Sequence, residues 1–324
     1  KGYVLESDYI GTLGRKLVGL DNINTYAGRT ACPTGTTYAA GTACYEAGYP
    51  SGFTSKRVTT LFGNDNFRTN GFSSNYSGLQ VSLRKGYANG LQFVANYTLS
   101  KALDQVSDVF TQRDSVSGPL NPYDPSYDYG PADFDMRQNF ILTMNYETKS
   151  ATHKLLLAGW GISPIVKMQS GTPFSPYDGS GSYNPIKDGR TGVDRTVYVG
   201  TGSSRNAVTH AATPADGYLK PISSGDYFAP YTCPASQMWC EPPVGRNSIT
   251  GPALKNVDLG LSKGFQFHER AGFTIGASFF DIFNHPNFSN PNANYNSSSY
   301  GLSLSDAGDS GGHRVTQLSA RFDF

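Results

Sequence analysis

Apolar and polar residues alternate with a period of two in eight stretches of the chain, at about 2–12, 74–85, 91–102, 137–147, 155–169, 254–267, 270–283 and 313–324. Successive side chains of a β-strand point to opposite faces, so each stretch predicts a strand with one apolar and one polar face. In the second and third, Leu79, Val81 and Leu83 alternate with Gln80, Ser82 and Arg84. Leu91, Phe93, Ala95, Tyr97 and Leu99 then alternate with Gln92, Asn96, Thr98 and Ser100. The sixth and seventh repeat the design, with Val257, Leu259, Leu261, Phe265 and Phe267, then Phe273, Ile275, Ala277 and Phe279, set against Asp258, Ser262, Gln266, Thr274 and Ser278. The last carries Leu318, Ala320, Phe322 and Phe324 on one face.

Alternation alone fits a soluble sandwich as well as a membrane barrel, and the connections choose between them. They run long, short, long, short, long, short, long. The short ones are Gly86–Gly90, the segment near Glu147–Lys154 and the turn at His268-Glu269; the long ones cover about 20–73, 103–136, 170–253 and 284–312. Loops that long far exceed the two to six residues usual in compact domains. In a meander, strict parity puts every long loop at one end, the asymmetry of outer-membrane barrels with short periplasmic turns and long extracellular loops. The expected fold class is therefore all-β, an antiparallel transmembrane β-barrel portion of about eight strands with long extracellular loops, in the cell outer membrane. A terminal strand ending on Phe322 and Phe324 is expected to serve as the insertion signal read by the barrel-assembly machinery.

Composition agrees. The 324 residues include 37 Gly, 21 Tyr, 19 Phe and 19 Pro and only 16% charged residues, a profile of strands, turns and aromatic girdles. Net charge is +1, which gives no electrostatic footprint for nucleic acid. No apolar run approaches the roughly 20 residues of a membrane helix, and a barrel needs none, because only alternate strand residues face lipid. The chain begins at Lys1, inside a predicted strand and without an initiator Met or signal peptide, so it is expected to be part of a longer precursor.

Cys32 and Cys44 share the first long loop, Cys233 and Cys240 share the third, and no predicted strand holds a cysteine. Of the three possible pairings, 32–44 with 233–240 is the simplest, and an oxidising cell surface would keep both bonds. The competing metal reading lacks both Cys-x-x-Cys spacing and a nearby His.

Chemistry is sparse elsewhere. Asp133, Asp135 and Arg137 resemble paired carboxylates for acid–base work, but where a long loop enters a strand a rim ion pair or turn cap is the better reading. His153, His210, His268, His285 and His313 are scattered without a metal motif. Ser170-Gly-Thr-Pro and Gly179-Ser-Gly-Ser match phosphate-cradling loops only in glycine content. Sequons begin at Asn75, Asn96, Asn287 and Asn296, two of them in or beside membrane strands, which makes them chance matches. No catalytic set, cofactor or metal site is expected, and the chain is read as a non-enzyme. The outer loops do gather aromatics, namely Tyr123, Tyr127, Tyr129, Phe134, Tyr177, Tyr183, Tyr218, Tyr227, Phe228, Tyr231 and Trp239. Among them Tyr123, Tyr127, Tyr129, Tyr177, Tyr183, Tyr227, Tyr231 and Trp239 are the candidate ligand contacts; the alternative is that they pack the loops on one another.

Seven stretches in register resemble the C-terminal part of TonB-dependent receptors of the Oar-like type, abundant in Acidobacteria. They are Tyr9-Ile-Gly-Thr-Leu-Gly-Arg-Lys-Leu17 with Asn22-Ile-Asn24, Asn75-Tyr-Ser-Gly-Leu-Gln-Val-Ser-Leu83, and Asn96-Tyr-Thr-Leu-Ser-Lys-Ala-Leu-Asp104. Tyr129-Gly-Pro-Ala-Asp-Phe-Asp-Met-Arg137 and Gly159-Trp-Gly-Ile162 with Gln169-Ser-Gly-Thr-Pro-Phe174 follow. Gly245-Arg-Asn247 with Gly251-Pro252 and Asn256-Val-Asp-Leu259, then Phe280-Asp-Ile-Phe-Asn-His-Pro-Asn-Phe288, complete the set. The resemblance implies a barrel of about 22 strands, of which this chain supplies the last eight. It implies, besides outer-membrane lipid, three partners: the missing N-terminal barrel and plug of the same polypeptide, TonB through an N-terminal segment absent here, and the assembly machinery. The implied activity is energised uptake of a scarce or bulky ligand. The predicted inward residues Gly260, Ser262, Gly264, Gly272, Thr274, Gly276 and Ser278 agree, being too small to fill an eight-stranded barrel. A self-standing surface or adhesion protein, its strands closed alone or stacked as a sandwich, is the alternative.

Overall fold

The computed structural model describes residues 2–22, 29–31, 43–45, 66–107, 125–148, 158–179, 194–209, 217–231, 243–268, 271–307 and 313–324. Eight long strands follow one another: β1 (Tyr3–Asn22), β2 (Asn66–Ala88), β3 (Leu91–Asp104), β4 (Gln138–Glu147), β5 (Trp160–Gln169), β6 (Leu254–His268), β7 (Ala271–Phe280) and β8 (Val315–Asp323). Each pairs antiparallel with the next, and the short Gly130–Pro131 strand adds to β3. The sheet is open, with β1 and β8 at its edges.

Register carries the alternation across the whole sheet. Leu83 lies opposite Leu5 and Ala95, Ala95 opposite Leu142, and Leu142 opposite Val166. Val166 continues to Val257, Leu259 to Phe279, and Ala277 to both Leu261 and Leu318. The other face aligns Glu6 with Ser82 and Asn96, Ser163 with Gly260 and Ser278, and Gly276 with Ser262 and Ser319. The apolar face is bare: Leu5, Tyr9, Leu318 and Phe322 are 69, 72, 78 and 59% exposed. A sandwich would cover it with a second sheet, but the other described sheets are two-stranded ribbons of two or three residues per strand. Inside-out burial of this kind belongs to a wall that faces lipid.

At the short-turn end, two lysines share the apolar parity. Lys85 Nζ donates to the carbonyls of Ala88 (3.0 Å) and Leu91 (2.7 Å). Lys263 Nζ donates to the Ala158 carbonyl and lies 5.3 and 5.4 Å from the ring centres of Trp160 and Phe265. Their aliphatic stems cover apolar surface while the ammonium groups find oxygen at the interface.

Boundaries differ from the sequence reading where bulges interrupt parity. β1 and β2 run 20 and 23 residues instead of ending near 12 and starting near 74. Register shifts at Arg15/Leu17 and Leu17/Gly19 break the alternation, and Lys16 takes φ 55° there. Gly19 makes the extension possible, because a Cβ on it would come within 2.2 Å of the Phe72 ring, which is buried across the backbone. About ten tilted residues cross a bilayer, so this hairpin stands well clear of the membrane and shortens the first long loop. The first turn is also tighter than the predicted Gly86–Gly90: Ala88 pairs with Leu91, leaving Asn89 and Gly90 at φ 56° and 81°, a two-residue primed turn. β5 begins at Trp160, and residues 155–157, read from sequence as its start, lie outside those described. β7 stops at Phe280 because Asp281 turns left-handed at φ 51°.

Candidate functional site: the loop cap

The described parts of the third and fourth long loops, read from sequence as connections, fold into a cap with its own core. Pro173–Phe174 pairs with Ile249–Thr250, Tyr177–Asp178 with Asp194–Arg195, and Val197–Val199 with Tyr227–Ala229. Phe174, Ala207, Val208, Leu219, Phe228 and Ile249 are buried between them, with Tyr198, Tyr218, Ala293 and Tyr300 packed around.

Three polar joints fasten the cap to the wall and the loops to each other. Arg246 is the first: Nη1 donates to Asp104 Oδ1 at 2.5 Å, and Nη2 donates to Ser107 Oγ at 2.5 Å and Asp133 Oδ1 at 3.1 Å. Beside it Asn247 donates from Nδ2 to Pro131 O (2.7 Å) and Asp133 Oδ1 (2.6 Å), and from its backbone N–H to Ser175 Oγ (2.7 Å). The second joint is Arg195, which meets Asp128 at 3.0 Å and stacks over Tyr127, 4.2 Å from the ring centre. The third joins loops three and four, where Tyr177 N–H donates to Ala293 O, Tyr295 N–H to Tyr177 O, and Asn290 Nδ2 to Thr172 Oγ1.

The paired carboxylates noticed in the sequence each have a partner in the structure. Asp133 serves the Arg246 joint, and Asp135 Oδ1 accepts the Ala102 N–H at 2.7 Å. Burial raises the Asp135 pKa, and that N–H partly offsets the rise. Among the described residues no group of three His, Cys, Asp or Glu could hold a metal ion.

The candidate aromatics divide. Tyr127 lies under Arg195, and Phe228 is buried in the cap core. Tyr218 packs on Phe174 at 6.4 Å and donates to Thr250 O at 2.6 Å. Tyr177, Tyr227 and Tyr231 are half-buried, whereas Tyr129 and Phe134 are exposed. Tyr123, Tyr183 and Trp239 lie outside the described residues. Sequence reasoning missed Tyr198, Tyr295 and Tyr300. Tyr198 donates to Asp226 Oδ1 at 2.6 Å, a bond that raises the phenol and lowers the carboxyl. Tyr295 and Tyr300 meet edge-to-face at 5.7 Å, and burial followed by the charges of Tyr227 and Asp178 raises Tyr295. The missing signal lay in the asparagines between Asn290 and Asn296, whose side chains shape turns by bonding backbone and hydroxyls: Asn292 binds Ser297 and Ser299, and Asn294 binds the N–H of Gly179 and Asn296.

Burial pushes Tyr218 up to about 12 and raises Tyr300 well above the usual phenol range. An unfolded tyrosine ionises near ~10, so these phenols stabilise the cap fully below that pH, and the contribution is lost as pH rises through 12. In an absorbance titration, late-ionising phenols should appear together with protease opening of the cap. If every tyrosine titrates near ~10 while the cap stays closed, this packing is wrong.

Cys44 lies in the short strand Ala43–Tyr45, opposite Thr30 of Arg29–Ala31. Cys32, Cys233 and Cys240 fall outside the described residues. Proteolysis without reductant is expected to release 32–44 and 233–240 as linked peptides that separate on reduction. A peptide joining the first loop to the third would refute that pairing.

A single antiparallel meander, apolar outside, small and polar inside, and capped at one end, defines a wall of an outer-membrane β-barrel. Residues 1–317 match the family model of the outer membrane beta barrel domain, and the chain belongs to that family. It resides in the outer membrane. Among solved structures it is similar to the outer membrane transporter YddB from Escherichia coli, with 9% identity and a TM-score of 0.44. That likeness covers 100% of this chain and 31% of the transporter, so the chain spans about a third of the protein it resembles. No curated protein matches it.

Proposed function

We propose that this chain is the C-terminal wall of an Oar-like TonB-dependent receptor, which takes up a large or scarce ligand across the outer membrane. The observation that carries the reading is the inner face: Gly161, Ser163, Gly260, Ser262, Thr274, Gly276, Ser278 and Ser319 align across β5 to β8. Eight strands closed on themselves need side chains to fill the middle, and these leave it empty. A wide barrel around a separate plug suits them. The unpaired edges of β1 and β8 support the same reading, because further strands of the polypeptide would cover them. Energy would come from TonB through a segment on the plug side, insertion would use Phe322 and Phe324, and no step of catalysis is assigned to the chain.

Peptide-resolved intact mass of the protein from its own membrane tests this. The expected species is several times heavier than 34.9 kDa and contains plug peptides that crosslink to TonB. A native mass near 34.9 kDa would replace it with a self-standing surface protein that binds through its cap. Expressed alone in detergent, the chain is expected to self-associate through its edges; a compact, heat-resistant monomer would count against the wide barrel.

A further inference from the structure

A cavity of about 810 Å³ lies where the cap meets the top of β5 and β6. Three of the family-like stretches converge on it, contributing Ser170 and Gly171, Gly251 and Pro252, and His285 with Phe288. Its charge is one-sided. Arg205, Lys255 and His285 line it, and no carboxylate does so among the described residues. The other cap cations Arg195, Lys220 and Arg246 each face an aspartate. The side chains of Arg205 and Lys255 meet no such partner among the described residues, although the chain holds nearly as many acids as bases.

Position narrows the anion. Lys255 has the parity of Val257 and Leu259, the lipid-facing one, and lies opposite Met168, a residue of the bare outer face. It stands two residues, or about 7 Å, beyond Val257 on the long-loop side. At that height on the outside of an outer-membrane barrel, the apolar band gives way to headgroups of the outer leaflet. Arg supplies a planar fork, Lys a point charge and His an N–H, which together suit the oxygens of a phosphate monoester.

We propose that this cavity binds the phosphate-bearing headgroup of an outer-leaflet glycolipid and anchors the cap to the membrane surface, a role separate from ligand uptake. The test is native mass spectrometry of the protein purified from its own outer membrane, offered three probes: the intact glycolipid, the same lipid enzymatically dephosphorylated, and inorganic phosphate. The expected result is retention of the intact lipid, loss of at least about ten-fold with the dephosphorylated one, and a similar loss in Arg205→Gln/Lys255→Gln/His285→Gln. Lys255→Arg should retain binding, and an unchanged protease pattern of the cap separates lost binding from lost folding. Equal retention of both lipids, or full retention by the triple variant, would overturn the proposal. Binding of inorganic phosphate with no lipid retained would also overturn it, reassigning the cavity to a soluble anion.

Discussion

Arg246→Met is expected to release the loop cap while leaving the strand wall in place. Its guanidinium is buried against Asp104, buried as well, and the partly buried Asp133, and it ties the end of β3 to the segment before β4 and to the third loop. Removing one partner of a buried ion pair strands the others without solvent, at roughly 3–5 kcal/mol. Two carboxylates are left here rather than one, and Asn247 still holds Asp133 in place, so relief by rotation is limited. Limited proteolysis should cut the variant between 170 and 253 at low protease, while heat-modifiable migration of the barrel stays as in the parent. Arg246→Met with Asp104→Asn and Asp133→Asn should recover most of the loss, because neutral amides do not require a counter-ion. A cap in the single variant as resistant as the parent's would mean that the joint is ornamental and that the apolar core alone holds the loops.

The wall was legible because lipid selects on every second residue, and that selection is written into the chain at Leu79 to Leu83 and Val257 to Phe279. Two errors of boundary have a common origin. Around Arg15 to Gly19 the chain leaves the membrane, a bulge shifts parity, and water no longer enforces the alternation, so a real strand reads as loop. The Asn89-Gly90 turn was visible as a dipeptide, yet Gly86 drew the boundary inward because a bulge separates Lys85 from Ala88. The cap was the larger omission. Its strands are two or three residues long, too short for any periodicity, and two of its three joints pair residues more than a hundred positions apart, as Arg246 with Asp104 and Asn290 with Thr172. What the sequence did offer was residue type: Asp133 next to Asp135 pointed to a rim ion pair or turn cap; Asp133 makes the ion pair, while Asp135 accepts the N–H of Ala102 on β3. Among the aromatics, Tyr218 and Phe228 pack the cap itself, the alternative to ligand contact that residue type alone leaves open.

The largest asymmetry should come from two arginines placed on the same sheet with opposite parity. Leu261 is the middle residue of β6, set between Ile162 and Ala277 on the bare face. Ser278 on β7 lies across from Gly260 and Gln317 on the small, polar face. Leu261→Arg puts a guanidinium against hydrocarbon near the bilayer midplane and should cost roughly 2–4 kcal/mol, lowering the folded-to-unfolded ratio by about one to three orders of magnitude. Ser278→Arg enters a space lined by glycine and serine, with water to solvate it, and should change folding by less than about 1 kcal/mol. The readout is the fraction of folded protein in lipid vesicles, followed by heat-modifiable migration across a denaturant series. If both variants insert equally well, the apolar face does not meet lipid. If Ser278→Arg is the damaging one, the small face is the crowded one, and the case for a wide, plugged lumen falls with it. Only the predicted order, a heavy penalty at 261 and tolerance at 278, keeps together the orientation of the wall, the emptiness of its interior and the need for further strands to close it.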